Sequence, residues 1–192
     1  VYGATKALME KLFVAANTFS KPGKQKTKFI TVRYGNVLKS RGSVIPLFLS
    51  LKNKGYFPIT DIEMTRFNIT LEESVKMVDW AINNAIGGEI IVPKLKSYKI
   101  VDIAKAINPK NKINVIGIKR GEKIHEELIN EHDAPYTIDI GKYYLILPDN
   151  DKKTLNLYKN KFRFKRLKSN FKYTSLQKKF LTIQEIKKLI SK

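Results

Sequence analysis

The sequence predicts an α/β protein. Three observations predict it: an amphipathic helical pattern runs directly into a β-branched strand near the start, the alternation continues along the chain, and 43% of the 192 residues are hydrophobic. A chain of this length buries enough apolar surface to build a real core.

The elements follow in order. Ala4, Leu8, Leu12, Ala15, Ala16 and Phe19 repeat at three-and-four spacing, which predicts a helix over 1–20 ended by Lys21-Pro22-Gly23. Phe29 to Tyr34 is β-branched and aromatic, the composition of a strand, and Gly35-Asn36 closes it. The loop Lys39-Ser40-Arg41-Gly42-Ser43 leads into an apolar helix, Val44 to Leu51, with Pro46 in its first turn. Phe57 to Thr60 reads as a short strand. Thr70 with Glu72 and Glu73 behind it reads as the cap of a helix reaching about Ala85, where Gly87-Gly88 stops it. Glu89 to Val92 is then a strand, Ile100 to Ile107 a helix, Ile113 to Ile118 a strand, and Lys123 to Ile129 a helix after a turn at Gly121. Tyr143 to Leu147 reads as a strand and Lys152 to Lys172 as basic and poorly patterned. Thr182 with Glu185 three residues on starts a terminal helix to Ile190.

Composition limits the function classes. The formal charge of +20, from 37 Lys and Arg against 17 Asp and Glu, suits a polyanion partner, but Lys, Ile and Asn dominate together and much of the charge reads as drift on solvated faces. Zero cysteines exclude a disulfide framework and a thiolate metal site. No stretch approaches a membrane span of roughly 18 to 20 apolar residues, and the start lacks the layout of a signal peptide, so the expected compartment is the cytoplasm. Val1 is not Met and leads straight into a motif, so sequence upstream is expected.

That motif is Tyr2-Gly3-Ala4-Thr5-Lys6. Residues four apart share one helix face, and an ammonium beside a phenol favours phenolate, drawing the group below its usual value of about 10 towards use as a proton acceptor. Such pairs also arise by chance on many helices. A guanidinium at Arg66 beside the hydroxyls of Thr60 and Thr65 on irregular backbone suits a diphosphate, or is a surface arginine; Glu122 after the Gly121 turn suits two ribose hydroxyls, or is a first-turn helix acid. His125-Glu126-Glu127-Leu128-Ile129 fails as a zinc motif because Ile129 stands where a second histidine is required. His125 reads as a helix-surface or packing histidine. Phe162, Phe164, Phe171 and Tyr173 interleave with cations, as on a single-strand nucleic-acid platform, yet are no denser than a packed face needs; packing is the favoured reading.

Taken with Val32-Arg33-Tyr34-Gly35-Asn36-Val37, Ser40-Arg41-Gly42-Ser43-Val44, Pro58-Ile59-Thr60-Asp61, Met64-Thr65-Arg66-Phe67, Gly87-Gly88-Glu89-Ile90 and Gly121-Glu122-Lys123-Ile124-His125-Glu126, the opening motif resembles the inverting UDP-N-acetylglucosamine 4,6-dehydratases of the CapD-type polysaccharide biosynthesis group. The resemblance covers residues 1 to about 148 and returns weakly at Tyr173-Thr174-Ser175 and in the last helix. It implies the C-terminal half of a Rossmann-type extended short-chain dehydrogenase/reductase fold with a small mixed substrate-binding domain. Residues 1–148 would hold the rest of the Rossmann core interleaved with that domain, and 149–192 a basic extension. The dinucleotide-binding half, with its Gly-rich fingerprint and the family's Thr-Asp-Lys group, is absent from this sequence.

The implied roles are Tyr2 and Lys6 in catalysis and, with Tyr34, Gly35 and Val37, against the nicotinamide of NADP or NAD. Asn36, Arg41, Gly42, Ser43, Val44, Thr60, Arg66 and Glu122 would contact a UDP-sugar. No metal and no membrane partner are expected and nucleic acid is disfavoured, a non-enzymatic polyanion-binding basic module being the less favoured alternative; the full-length enzyme is expected to be a homo-oligomer and the chain alone inactive. A related UDP-N-acetylhexosamine epimerase shares every motif. Four positions depart from the family pattern: Lys39 replaces a Gly, Asn68 an aromatic, and Lys119-Arg120 an Arg-Pro pair. The last bears on nucleotide affinity, since Lys lacks the bidentate fork of Arg.

Overall fold

The computed structural model describes residues 2–19 and 27–191, so Val1 and the expected stop at Lys21-Pro22-Gly23 lie outside the described residues. In chain order the elements are α1 Tyr2–Phe19, β1 Thr31–Val32, β2 Asn36–Val37, α2 Val44–Ser50, β3 Tyr56–Ile59, β4 Thr65–Ile69, α3 Leu71–Asn84, β5 Ile90–Pro93, β6 Lys96–Lys99, α4 Ile100–Ile107, β7 Lys112–Val115, β8 Glu127–Ile129, β9 Thr137–Asp139, β10 Tyr143–Ile146, α5 Lys152–Lys161, β11 Lys165–Arg166, β12 Tyr173–Thr174 and α6 Ile183–Ser191. The predicted α/β alternation is there. The chain forms two compact units, one from residues 1–34, 75–94 and 129–172, the other from 35–74, 95–128 and 173–192. Residues 149–172 belong to the first unit and 173–192 to the second.

The first unit is built on a five-stranded sheet ordered β1-β5-β10-β9-β11. β1 and β5 run parallel, Thr31 opposite Ile90, which requires a long crossover, and the chain returns to β5 through α3. The other pairings are antiparallel. Met77, Ala81 and Ala85 close over Ile91, Ile138, Leu145 and Tyr158 as one apolar cluster. Trp80, the one tryptophan of the chain, lies 4.6 Å from the Tyr143 ring and 5.9 Å from that of Phe162, and Phe171 lies 5.6 Å from Tyr144. These tail aromatics pack on their own unit, the favoured reading of the basic segment.

Polar order in this unit centres on Arg33, whose guanidinium donates Nε to Glu10 Oε2 and Nη1 to Asp133 Oδ2, each at 2.8 Å, and Nη2 to Glu10 Oε1. Burial opposes the charge, but the paired carboxylates outweigh it and raise the Arg33 pKa above its ordinary value. The Glu89 carboxylate, fully buried, accepts the backbone N–H groups of Ile86 and Gly87 at 2.6 Å each and so finishes the turn after α3.

The second unit holds a three-stranded sheet ordered β2-β4-β6, a parallel β3-β7 pair and a β8-β12 pair. β2 runs parallel to β4, Asn36 opposite Asn68, and β4 antiparallel to β6, Arg66 opposite Tyr98. Ile45, Phe48, Phe57, Ile59, Met64, Ile103 and Ile186 are buried in one cluster, with the Phe48 and Phe57 rings 4.8 Å apart. Each such side chain contributes about 1.5–3 kcal/mol by leaving water.

α6 starts with the predicted capping box: Thr182 Oγ1 accepts the Glu185 N–H at 3.2 Å, and the Glu185 carboxylate accepts the Thr182 N–H at 2.9 Å. The Thr182 N–H, then Lys96 and the Thr182 hydroxyl, lower the Glu185 pKa from the usual 4.5 to about 2. A depressed carboxylate pKa stabilises the folded state above the unfolded value and loses that contribution as protons bind. The docking of α6 should therefore weaken as pH falls from about 4.5 to about 2, while Glu185→Gln should flatten that limb. Amide exchange across Ile183–Ser191 measures it.

Several expectations are corrected. Lys123 to Ile129 is not a helix: Glu127–Ile129 is β8, because the Glu126 N–H donates to Ser175 Oγ and the Glu126 carbonyl accepts the Ser175 N–H, both at 2.8 Å, a tertiary partner that local helical spacing does not encode. His125 is accordingly not a helix residue. Lys152 to Lys172 is not unpatterned, since Asp151 caps α5 by accepting the Thr154 N–H at 2.6 Å. The backbone around Arg66 is regular, strand β4 rather than loop, and Asn36 opens β2 rather than closing β1.

Candidate functional site

A cavity of about 320 Å³ lies in the second unit, at the lower end of the range for small-molecule sites. Eight of the predicted residues belong to its wall: Asn36, Val37, Gly42, Ser43, Val44, Thr60, Arg66 and Glu122. Ile45, Ile59, Met64 and Ile100 give it an apolar floor, and Tyr98 and Lys119 add polar groups that the sequence reading did not assign. Gly35 and Arg41 are not in the wall, and Arg41 is exposed. Tyr2, Lys6 and Tyr34 belong to the first unit. Tyr2 opens α1 with its side chain outside what is described, and Lys6 stands one turn on.

Arg66 organises the wall. β4 presents it beside the 119–126 segment, where Nη1 donates to the carbonyls of Thr65 at 2.7 Å and Ile124 at 2.9 Å. Its Nη2 lies 3.9 Å from Glu122 Oε1 and its Nε 3.8 Å from Glu126 Oε1, so the guanidinium sits between two carboxylates. Glu122 is held from its other side by Thr60 Oγ1 and by the Lys119 N–H, each at 3.3 Å. The turn at Gly121, with φ of 84°, brings Glu122 back towards Lys119.

Glu126, beside the wall, is a further residue to which the sequence reading gave no role. Its Oε1 accepts Asn36 Nδ2 and its Oε2 the Phe67 N–H, each at 2.8 Å. Burial raises its pKa above the ordinary carboxylate value, against the pull of the Phe67 N–H, Arg66 and Asn36. Burial, with the nearby charge of Glu126, also raises the Tyr98 phenol, which stays a donor at neutral pH. Behind Glu126, Ser175 Oγ donates to the Thr65 carbonyl at 3.1 Å, and Thr65 Oγ1 lies 2.7 Å from Ser175 Oγ and 2.8 Å from His125 Nδ1. The weak return of the resemblance at Tyr173-Thr174-Ser175 was the one signal for this support.

Lys39 adopts φ of +60°, the left-handed region, where the family pattern has glycine. A side chain there costs about 1–2 kcal/mol, partly offset by the unfolded-state freedom of glycine. Lys39→Gly should therefore stabilise the protein by about 0.5–1 kcal/mol in urea unfolding.

The α/β arrangement, with its parallel β1–β5 pair, agrees with the extended short-chain dehydrogenase/reductase fold, the class that likeness to a solved structure supports. The X-ray structure of Pen from Bacillus thuringiensis is similar at a TM-score of 0.82 and 33% identity, over 99% of this chain and 57% of that one. Residues 1–148 match the model of a polysaccharide biosynthesis protein, and the chain belongs to that family. It is 47% identical over 150 residues to an inverting UDP-N-acetylglucosamine 4,6-dehydratase of Campylobacter jejuni, covering 77% of this chain and 44% of that protein. It is 39% identical over 194 residues to a UDP-glucose 4-epimerase of Rickettsia bellii, covering 98% of this chain and 56% of that protein. The chain thus spans about half the length of the curated relatives it matches. No helix among the described residues is long and apolar enough to cross a membrane.

Proposed function

We propose that the protein acts in NADP-dependent 4,6-dehydration of UDP-N-acetylglucosamine with inversion at C5, supplying a sugar for a surface polysaccharide or glycan, and that the second unit's cavity takes the UDP-sugar. The order of groups along the wall carries the reading: a carboxylate, Glu122, then a guanidinium, Arg66, then an amide, Asn36. Carboxylates accept hydroxyls and a guanidinium pairs with phosphate, so ribose, diphosphate and sugar meet suitable groups in turn. Glu122 receives the ribose hydroxyls, and Arg66 and the Lys119 ammonium face the diphosphate. Thr60, Asn36 and the Gly42-Ser43-Val44 turn border the substrate, and Arg41 enters as an exposed side chain on that loop.

Tyr2 and Lys6, with Tyr34, Gly35 and Val37, would hold the nicotinamide end of NADP or NAD. Tyr2 and Lys6 stand four residues apart on α1, positions that share one helix face. When bound, the dinucleotide would supply hydride transfer between C4 and C6 of the sugar. On this chain Tyr2 takes the proton from the 4-hydroxyl, and Lys6 favours the phenolate that does so. The 4-ketone acidifies C5–H; loss of that proton with the C6 hydroxyl as water leaves a C5–C6 double bond, and hydride at C6 with a proton to the opposite face of C5 saturates it with inversion, so the net reaction is a lyase step. The sequence has no Gly-rich dinucleotide fingerprint, and the 192-residue chain alone should show no turnover. A cytoplasmic homo-oligomer is part of the same reading.

The 39% identity to a 4-epimerase over nearly all of this chain favours one second reading, epimerisation of a UDP-N-acetylhexosamine. The complete gene product, incubated with UDP-N-acetylglucosamine and NADP, separates the two by mass. Loss of one water, abolished by Tyr2→Phe, is the expected result. Unchanged mass with altered sugar stereochemistry would move the assignment to an epimerase, and no conversion would sink both.

A further inference from the structure

We propose that Glu126 is a positioning residue: it fixes the amide of Asn36 so that this end of the cavity presents a hydrogen-bond acceptor to a sugar hydroxyl or acetamido N–H. The assignment rests on the reading of the cavity as a UDP-sugar site.

A carboxamide has a donor end and an acceptor end of nearly equal size, and what holds one end decides what the other offers. Glu126 Oε1 only accepts, so at 2.8 Å it captures the NH2 end of Asn36, and the carbonyl end turns away from it. Asn36 belongs to the cavity wall, and an acceptor is then what it shows a ligand. Glu126 is itself held at four points. Its Oε2 takes the Phe67 N–H at 2.8 Å, its backbone N–H and carbonyl both bond Ser175, and Arg66 Nε stands 3.8 Å from Oε1.

Gly35 makes the arrangement possible. A Cβ at that position would lie 2.5 Å from Phe67 Cβ and 3.4 Å from Glu126 Oε2, so only glycine lets the chain entering β2 approach β4 closely enough for one carboxylate to span both. The consequence is a polarity along the wall. A phosphate oxygen beside Asn36 would meet another acceptor and be repelled, which keeps the diphosphate at Arg66 and leaves Asn36 to a neutral group carrying O–H or N–H.

The test compares UDP with UDP-N-acetylglucosamine by calorimetric titration of the 192-residue chain. Glu126→Gln puts a donor where an acceptor stood and frees the Asn36 amide to turn. It should lower affinity for the sugar nucleotide about tenfold while leaving UDP affinity within about twofold. Asn36→Ala, at an exposed position that does not threaten folding, should produce the same selective loss, with no further loss in the double variant. The exchanged pair Asn36→Asp with Glu126→Gln restores one donor and one acceptor across the contact and should recover the sugar-dependent part. Equal weakening of both ligands by Glu126→Gln, or an unchanged ratio in Asn36→Ala, would overturn the proposal. Failure of the unaltered chain to bind UDP would overturn the reading of the cavity, and the proposal with it.

Discussion

Replacing Arg33 with Met should destabilise the first unit by about 3–5 kcal/mol, the usual cost of leaving buried charge without its partner. The reason lies in three separate stretches of chain: Glu10 on α1, Arg33 just after β1, and Asp133 in the turn before β9, with side chains only 14%, 22% and 12% exposed. One guanidinium serves both carboxylates, so its loss leaves two largely buried acids without that cation. A Lys in its place satisfies one acid at best, since it lacks the planar fork. Trp80 reports the outcome, because its ring stacks inside this unit: urea unfolding followed by its fluorescence should show the midpoint falling sharply in Arg33→Met and by less in Arg33→Lys. A change under about 1 kcal/mol would mean the two acids are solvated or protonated without cost.

The second large effect is expected at Arg66. Arg66→Leu should reduce UDP affinity by at least about 100-fold, as expected when one member of a half-buried, hydrogen-bonded charge group is truncated. Two losses combine there. On the proposed reading the cation for the diphosphate disappears, and Glu122 and Glu126, each within 4 Å of the guanidinium, are left without it. Arg66→Lys should recover only part of the affinity, because a single ammonium cannot hold the Thr65 and Ile124 carbonyls and still pair with phosphate. Titration calorimetry at fixed salt measures both variants; equal affinity for Arg66→Lys and the unaltered protein would show that point charge alone suffices.

How far the sequence could be read depended on whether a signal was local. α4 lies at Ile100–Ile107 as expected, and α3 and α6 start at their predicted caps, because capping and helical spacing are written within a few neighbouring residues. β2, β4, β6 and β9 were missed: they are two to five residues long, and what makes them strands is a partner far away in sequence, as Arg66 opposite Tyr98 shows. The error at Lys123 to Ile129 has the same origin, since Ser175 sits 49 residues beyond the Glu126 it holds. The cavity was legible in outline, eight wall residues being named from the resemblance. The supporting roles of Glu126 and Ser175 were not, because a carboxylate that holds another side chain leaves no mark in spacing or charge.

The most direct measurement is UDP titrated into the isotopically labelled 192-residue chain while backbone amide resonances are followed by NMR. The account predicts saturable binding, with shifts centred on Asn36, Gly42-Ser43-Val44, Thr60, Arg66 and Lys119–Glu122, all lost in Arg66→Leu. Binding without shifts at these residues, or no binding by a chain whose resonances show both units folded, would contradict it.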